Sequence, residues 1–228
     1  MTLMAEDLLL LLLDDAKGTV STWGKTDAVL GGAVLAELAV TGQVTVDEHK
    51  SFWRTDKVHA SEPAPADPDP LLAEALATIA EKDRKASSLV GKIGKGLEGR
   101  LAARLADRGI LERRDGKLLG LFPRTTWPAA DTTHEDDVRR TITACLVDGT
   151  QPDERTGALI ALLAAIDQAH SAVTAGTAGS KRTLEKKAKE IAAGQWAAKA
   201  VKDAVDAATA AVMIGVVAAT GGATAGGS

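Results

Sequence analysis

Few residues of this chain combine the type and the spacing that chemistry at a centre requires. The four histidines, His49, His59, His134 and His170, are scattered, without the i, i+4 pairing or neighbouring ligands that zinc demands. The run His134-Glu135-Asp136-Asp137 has metal-ligating types. Acidic residues in a first helical turn are also what the helix dipole favours, and Thr133 with Asp136 reads as a capping box. Cys145 sits in the apolar run Ile142 to Val147 with no base to activate it, so it is expected to pack. The glycines of Gly91-Lys-Ile-Gly-Lys-Gly96 have the wrong spacing for a phosphate loop, and no hydroxyl follows the lysine. No catalytic set can be assembled, which leaves an enzyme acting on small molecules as a weakly supported possibility; no metal or cofactor is expected.

What remains is charge. The chain carries a net −4, but residues 82–124 hold 12 Lys or Arg against 5 Asp or Glu, so an anionic partner would meet this window. Lys92, Arg100, Arg104 and Arg108 recur at multiples of four beside an apolar stripe of Ile93, Leu97, Leu101 and Leu105. A solvated face with intrahelical pairs such as Glu98 with Lys95 is one account. The following segment adds another, because Arg113, Arg114 and Lys117 crowd a turn next to Leu118, Leu119, Leu121 and Phe122. That is more apolar surface than a two-stranded ribbon buries within itself, and basic plus apolar residues on one projecting element suit an anionic membrane surface. A helix followed by a basic hairpin also fits a winged-helix nucleic-acid binder, with Arg100, Arg104 and Arg108 on the recognition side. The apolar hairpin has little use in that role.

The elements that must position these residues are mostly helical. The 228 residues are 45% hydrophobic and 25% charged, with four Trp, two Phe and no Tyr, which favours a core of Leu, Val, Ile and Ala in one domain over residues 1–220. The six leucines from Leu8 follow Glu6 and Asp7 and precede Asp14-Asp15, which reads as a core helix capped by Thr2 rather than a signal peptide. A helix from Asp27 ends at Thr41-Gly42; Gln43 to Asp47 is a strand, expected to pair with Trp53 to Val58, and a proline-rich connector runs from Ala60 to Pro70. Helices are expected over 71–80, 87–108, 133–147, 153–172, 181–193 and about 195–219, with a disordered tail over 221–228. The 87–108 helix contains Gly91, Gly94, Gly96 and Gly99, which require either close approach of another backbone or ligand, or a break near Gly94-Lys95-Gly96. Ile110 to Arg113 and Lys117 to Phe122 read as a hairpin around Asp115-Gly116. Leu35…Gly42-Gln-Val44 and Leu101…Gly109-Ile-Leu111 repeat one device, an apolar helix passing through Gly into a strand. A single cysteine fits a reducing cytosol.

Six ordered segments carry a resemblance. They are Thr-Leu-Met-Ala-Glu-Asp-Leu-Leu-Leu-Leu at 2–11, Gly18…Ser21-Thr-Trp23, Leu30-Gly-Gly-Ala-Val-Leu-Ala-Glu-Leu38, Arg100-Leu-Ala…Gly109-Ile-Leu111, Thr125-Thr-Trp-Pro128 and Val216-Val-Ala-Ala219. Together they resemble the Golgi phosphoprotein 3 family over nearly the whole chain. The resemblance implies a mainly α, single-domain adaptor that is not an enzyme, binds phosphatidylinositol 4-phosphate at a membrane and inserts an apolar hairpin. The family's headgroup pocket uses a tryptophan, an arginine early in the second helix and two arginines one turn apart. By this match Trp23 is the tryptophan, the first arginine falls near Gly31, and the pair falls on Lys95 and Glu98. Glu98 repels phosphate and lysine lacks arginine's bidentate geometry, so the ligand is better stated as anionic phospholipid, with Lys92 and Arg100 taking over part of the charge role. The expected headgroup residues are thus Trp23, Lys92, Lys95 and Arg100, and the inserting residues Leu118, Leu119, Leu121 and Phe122. Client proteins and possible self-association complete the expected partners, with no nucleic acid, on the inner face of a membrane. The Ala-rich, Tyr-free composition, without an arginine-rich N-terminal extension, fits a bacterial relative.

Overall fold

A computed structural model describes residues 2–20, 26–47, 57–61, 69–82, 84–118, 122–174, 176 and 179–221. The leucine run forms helix α1 (Met4–Leu12), and every residue of it is buried, Glu6 and Asp7 included. Thr2 does not cap it: the Thr2 hydroxyl lies 3.0 Å from His134 Nε2, and the Glu6 carboxylate instead accepts the Leu3 N–H at 2.8 Å. Strands β1 (Leu13–Asp14) and β2 (Thr19–Val20) form a short antiparallel turn and lead towards α2 (Thr26–Val40), in which residues 28–39 are all buried.

Strand β3 (Val44–Val46) pairs with β4 (Lys57–Ala60) in the register Val44↔Ala60, and β4 pairs with β5 (Arg84–Lys85). Lys57 and Val58 of the expected partner strand are in β4; residues 48–56, Trp53 among them, lie outside the described residues. Helix α3 (Pro70–Ala80) starts with Pro70 in its first turn and is capped by Asp69, whose carboxylate accepts the Leu71 N–H at 2.9 Å.

The expected long helix over 87–108 is two helices, α4 (Ala86–Gly94) and α5 (Leu97–Asp107), because Gly96 takes a left-handed φ of 69°. Both accounts of the glycines hold, at different positions. A Cβ on Gly94 would stand 1.7 Å from the Asp27 carbonyl oxygen, and one on Gly31 would stand 2.0 Å from that of Val90, so α2 and α4 meet backbone to backbone. On the other side of α2, a Gly32 Cβ would meet the Val212 side chain at 2.3 Å. Gly91 and Gly99 face open space.

The hairpin after α5 is registered differently from the sequence expectation. Strands β6 (Arg114–Leu118) and β7 (Phe122–Thr126) pair from Arg114↔Thr126 to Leu118↔Phe122, so Asp115-Gly116 lies within a strand. Asp115 is held there by the Thr125 hydroxyl at 2.8 Å and by Arg113, and Pro123 is tolerated because both strands are edges. Helix α6 (Thr133–Thr143) has Thr132 rather than Thr133 at its cap position and continues into a π-helical turn, Ala144–Asp148. Helices α7 (Glu154–Ala165), α8 (Lys181–Ala193) and α9 (Lys199–Gly221) follow. The expected 153–172 helix ends at Ala165, followed by a short 3-10 turn at Ala169–Ser171. Residues 222–228 lie outside the described residues. The repeated helix-to-strand device is seen twice. Gly42 and Gly109 both have positive φ, and the next amides bond back to Leu38 and Leu105. The architecture is mainly α, with α2 central and its most extensive contacts with α4 and α9.

The glycine contacts make a paired prediction. Gly94→Ala should destabilise the protein by about 2 kcal/mol or more, because backbone must move to admit the methyl. Gly91→Ala and Gly99→Ala, in open helical positions, should each stabilise by up to about 1 kcal/mol. Thermal melts of the three variants check the opposite signs.

Candidate functional site

Helix α3 runs antiparallel to α4 and α5, and the three enclose a cleft of about 140 Å³. Lys92, Lys95 and Arg100 all line it, together with Glu74 and the apolar side chains of Val34, Ile93 and Leu97. Three of the four expected headgroup residues therefore converge. The fourth, Trp23, lies outside the described residues, three positions before the start of α2. The α4–α5 break is what makes the convergence possible, since it directs Lys95 out of the connection between the helices, where it is exposed.

The cations of this cleft differ in how firmly they are held. Lys92 Nζ pairs with Glu81 at 2.7 Å, and Arg100 grips both oxygens of Glu74 at 3.2 and 2.5 Å. The Arg100 guanidinium holds the Glu74 carboxyl below the usual carboxylate range. Lys95 has no hydrogen-bond or ion-pair partner among the described residues, and Glu98 is not paired with it as the intrahelical account required. The other two arginines of the stripe point elsewhere: Arg104 makes two bonds to Asp69 at 2.8 and 2.7 Å and also pairs with buried Glu6, as does Arg108 at 2.8 Å. Carboxylates on α3 and α1 thus absorb most of a charge that looked unopposed in the sequence. The order Asp69, Glu74, Glu81 against Arg104, Arg100, Lys92 was the available signal, legible once two antiparallel helices are assumed.

Two positions matched to the family's arginines carry other chemistry here. Gly31 lies against the Val90 carbonyl with no room for any side chain. Burial pushes the Glu98 carboxyl up, helped by the charge of Asp27, so two carboxylates face each other where α5 begins beside α2. Of the apolar hairpin residues, Leu118 and Phe122 form the last backbone pair of the ribbon; Leu119 and Leu121 lie outside the described residues, in the connection between the strands. This register puts the Leu118–Phe122 pair at one end of the ribbon, with Arg114 at the other.

A second polar cluster ties the far ends of the helices together. Arg155 of α7 bonds Asp7 at 2.7 Å and Glu37 at 2.6 Å, while Glu37 also accepts the Met4 N–H. His134 Nε2 lies 2.7 Å from Asp7, and Arg139 donates to Glu135 at 2.7 Å. The residues of the His134 run therefore serve contacts between and within helices. Cys145 is buried, and desolvation pushes its thiol up, away from the thiolate form.

Glu98 generates a pH prediction. A carboxyl whose folded pKa is raised contributes stability below the unfolded carboxylate value and loses it as pH rises through the folded one. Glu98→Gln should therefore raise the thermal midpoint at pH 7, and the gain should vanish at about pH 4, near the unfolded pKa.

Comparison with known proteins agrees with this architecture. The Golgi phosphoprotein 3 (GPP34) family model matches residues 4–208. Vacuolar protein sorting-associated protein 74 of Schizosaccharomyces pombe is 31% identical over 164 residues, covering 64% of this chain. The match takes in 48% of that relative, so the chain spans about half its length. With the family match running from α1 into α9, over the helices that build the cleft and over the hairpin, the chain belongs to the Golgi phosphoprotein 3 family.

Proposed function

We propose that this protein is a peripheral, non-enzymatic membrane adaptor that binds anionic phospholipid headgroups, with phosphatidylinositol 4-phosphate the ligand its family membership favours. The observation that carries this reading is the convergence of Lys92, Lys95 and Arg100 on one cleft, in which Lys92 and Arg100 are paired with Glu81 and Glu74 while Lys95 has no partner among the described residues. Lys95 meets a headgroup phosphate directly, and Arg100 exchanges Glu74 for it. The exchange is accessible because an exposed ion pair is worth only about 0–1 kcal/mol. Trp23, close to the start of α2 in the chain, supplies the apolar side of the family pocket. The hairpin residues Leu118, Leu119, Leu121 and Phe122 enter the acyl boundary while Arg113 and Arg114 stay at the headgroups. None of the described helices is long and apolar enough to cross a membrane, which agrees with attachment from one side. Membrane recruitment of client proteins, on the cytoplasmic face, is the role this geometry serves.

Co-sedimentation with vesicles of phosphatidylcholine alone, or containing phosphatidylserine or phosphatidylinositol 4-phosphate, tests the proposal. Binding should favour the anionic vesicles and weaken as salt rises. Each basic residue near an anionic surface contributes about 1 kcal/mol, so Lys95→Glu should lower affinity on the order of tenfold or more. Glu98→Gln should raise it. Equal binding to neutral and anionic vesicles at low salt overturns the reading.

The hairpin has its own test. Replacing Leu119 and Leu121 together with Asp should cost several kcal/mol of membrane binding, since each buried leucine contributes about 1.5–3 kcal/mol, with little change in the thermal midpoint. A variant that unfolds, with its remaining folded fraction still lipid-competent, would make these leucines core.

A further inference from the structure

The last turns of α9 present apolar surface with no counterpart elsewhere on the described chain. Met213, Ile214 and Val217 are 49, 55 and 67% exposed, three of the four exposed large hydrophobic residues among the described residues. They lie at i, i+1 and i+4, on one side of the helix, while Ala208, Ala211 and Val212 are buried in the core. From Ala207 to Gly221 the helix carries no charged residue. A solvated helix end has no physical reason for that composition.

Its place in the fold identifies the partner. Helix α9 runs antiparallel to α2: Val212 packs at Gly32, and Gly215 is level with Ala28, where a Cβ would come within 2.9 Å of the Ala28 methyl. The six residues beyond Gly215 extend α9 about 9 Å further, whereas α2 continues only to Thr26. The helix therefore overhangs the end of the bundle where α2 starts. That end also holds Gly94 and Lys95, because Gly94 abuts the Asp27 carbonyl. An apolar overhang beside an exposed lysine without a partner is complementary to an anionic bilayer, with Lys95 at the headgroups and the α9 side chains below them. The opposing charges at this end are Asp27 and Glu98, so apolar burial carries much of the attraction.

We propose that the C-terminal end of α9, through Met213, Ile214 and Val217, is a second membrane-inserting element, docking into the same anionic bilayer as the headgroup cleft. This rests on the membrane reading of the cleft and extends it to a surface outside both cleft and hairpin.

The experiment uses vesicles of phosphatidylcholine with 30% phosphatidylserine, by mole about the charge density of an anionic leaflet. Met213→Asp with Ile214→Asp should reduce co-sedimentation about tenfold or more. The thermal midpoint should be unchanged, because both side chains are already exposed. An environment-sensitive fluorophore on Val217→Cys should shift to the blue when wild-type-like protein binds these vesicles, Cys145 being buried from the label. If wild type sediments with the vesicles but the double variant sediments equally and the fluorophore does not shift, the α9 proposal fails and the cleft reading stands. If wild type does not sediment at all, both fail. If the double variant instead turns a dimer into a monomer in sedimentation velocity with vesicle binding intact, the patch is a contact between copies, and the proposal is overturned.

Discussion

Between Gly31 and Gly94 the backbones of α2 and α4 meet with no side chain between them, and the position of Lys95 in the candidate cleft follows from that contact. Helix α4 cannot rise above α2 and must stop beside Asp27, which forces the chain to turn at Lys95-Gly96 and start α5 there. The turn projects Lys95 into solvent and sets Arg100 one turn further into the cleft. On the opposite side of α2, the seating of Val212 at Gly32 does the same for α9, fixing how far its end overhangs. A close-packed interior does not deform continuously, so these placements come as a set. The position matched to the family's first arginine is spent on helix packing in this chain.

The surface field differs from the charge written along the chain. A window rich in lysine and arginine faces Asp69, Glu74 and Glu81 on α3 and Glu6 on α1, so Arg104 and Arg108 serve to close the fold. Glu6 is fully buried, and removing either arginine would leave part of its charge uncompensated. Arg155 does comparable work between Asp7 and Glu37. Within this window Lys95 keeps no partner among the described residues, whereas Arg113 and Arg114 at the base of the hairpin pair with Asp115 and Glu112. This also takes Arg104 and Arg108 away from the recognition face that a winged-helix arrangement would need.

Local signals were readable and non-local ones were not. Ser180, accepting the Thr183 N–H, places α8 where the 181–193 pattern puts it, and Asp69 with Pro70 marks the start of α3. The leucine run, the helix-Gly-strand device at Gly42 and Gly109 and the buried Cys145 are likewise consequences of short-range pattern. The Asp115-Gly116 turn expectation fails because cross-strand bonds from Thr125 and Arg113 outweigh a local turn preference. The break after Gly94 was one of two readings that glycine spacing left open, and the contact with Asp27 that decides it lies more than sixty residues away. The cleft was legible as a set of cations, but the α3 carboxylates that temper them depend on a helix pairing that periodicity alone does not reveal.

That tempering bears on how the proposed membrane adaptor works. A cleft with one unpaired lysine and one arginine already engaged to Glu74 offers a few kcal/mol at most towards an anionic headgroup, which is weak attachment by itself. A single apolar insertion is likewise marginal and reversible. Attachment becomes firm only when the contributions act on one bilayer at once, since the second engagement is then intramolecular. Lys95 of the cleft and the overhanging end of α9 lie towards one end of the bundle, where Gly94 abuts the Asp27 carbonyl and Gly215 is level with Ala28, which allows simultaneous engagement. The same arithmetic makes release easy, because loss of any one contribution returns the others to the weak regime. On the proposed membrane reading recognition is divided: the cleft selects for charge, while the apolar elements require a bilayer rather than a free phosphate.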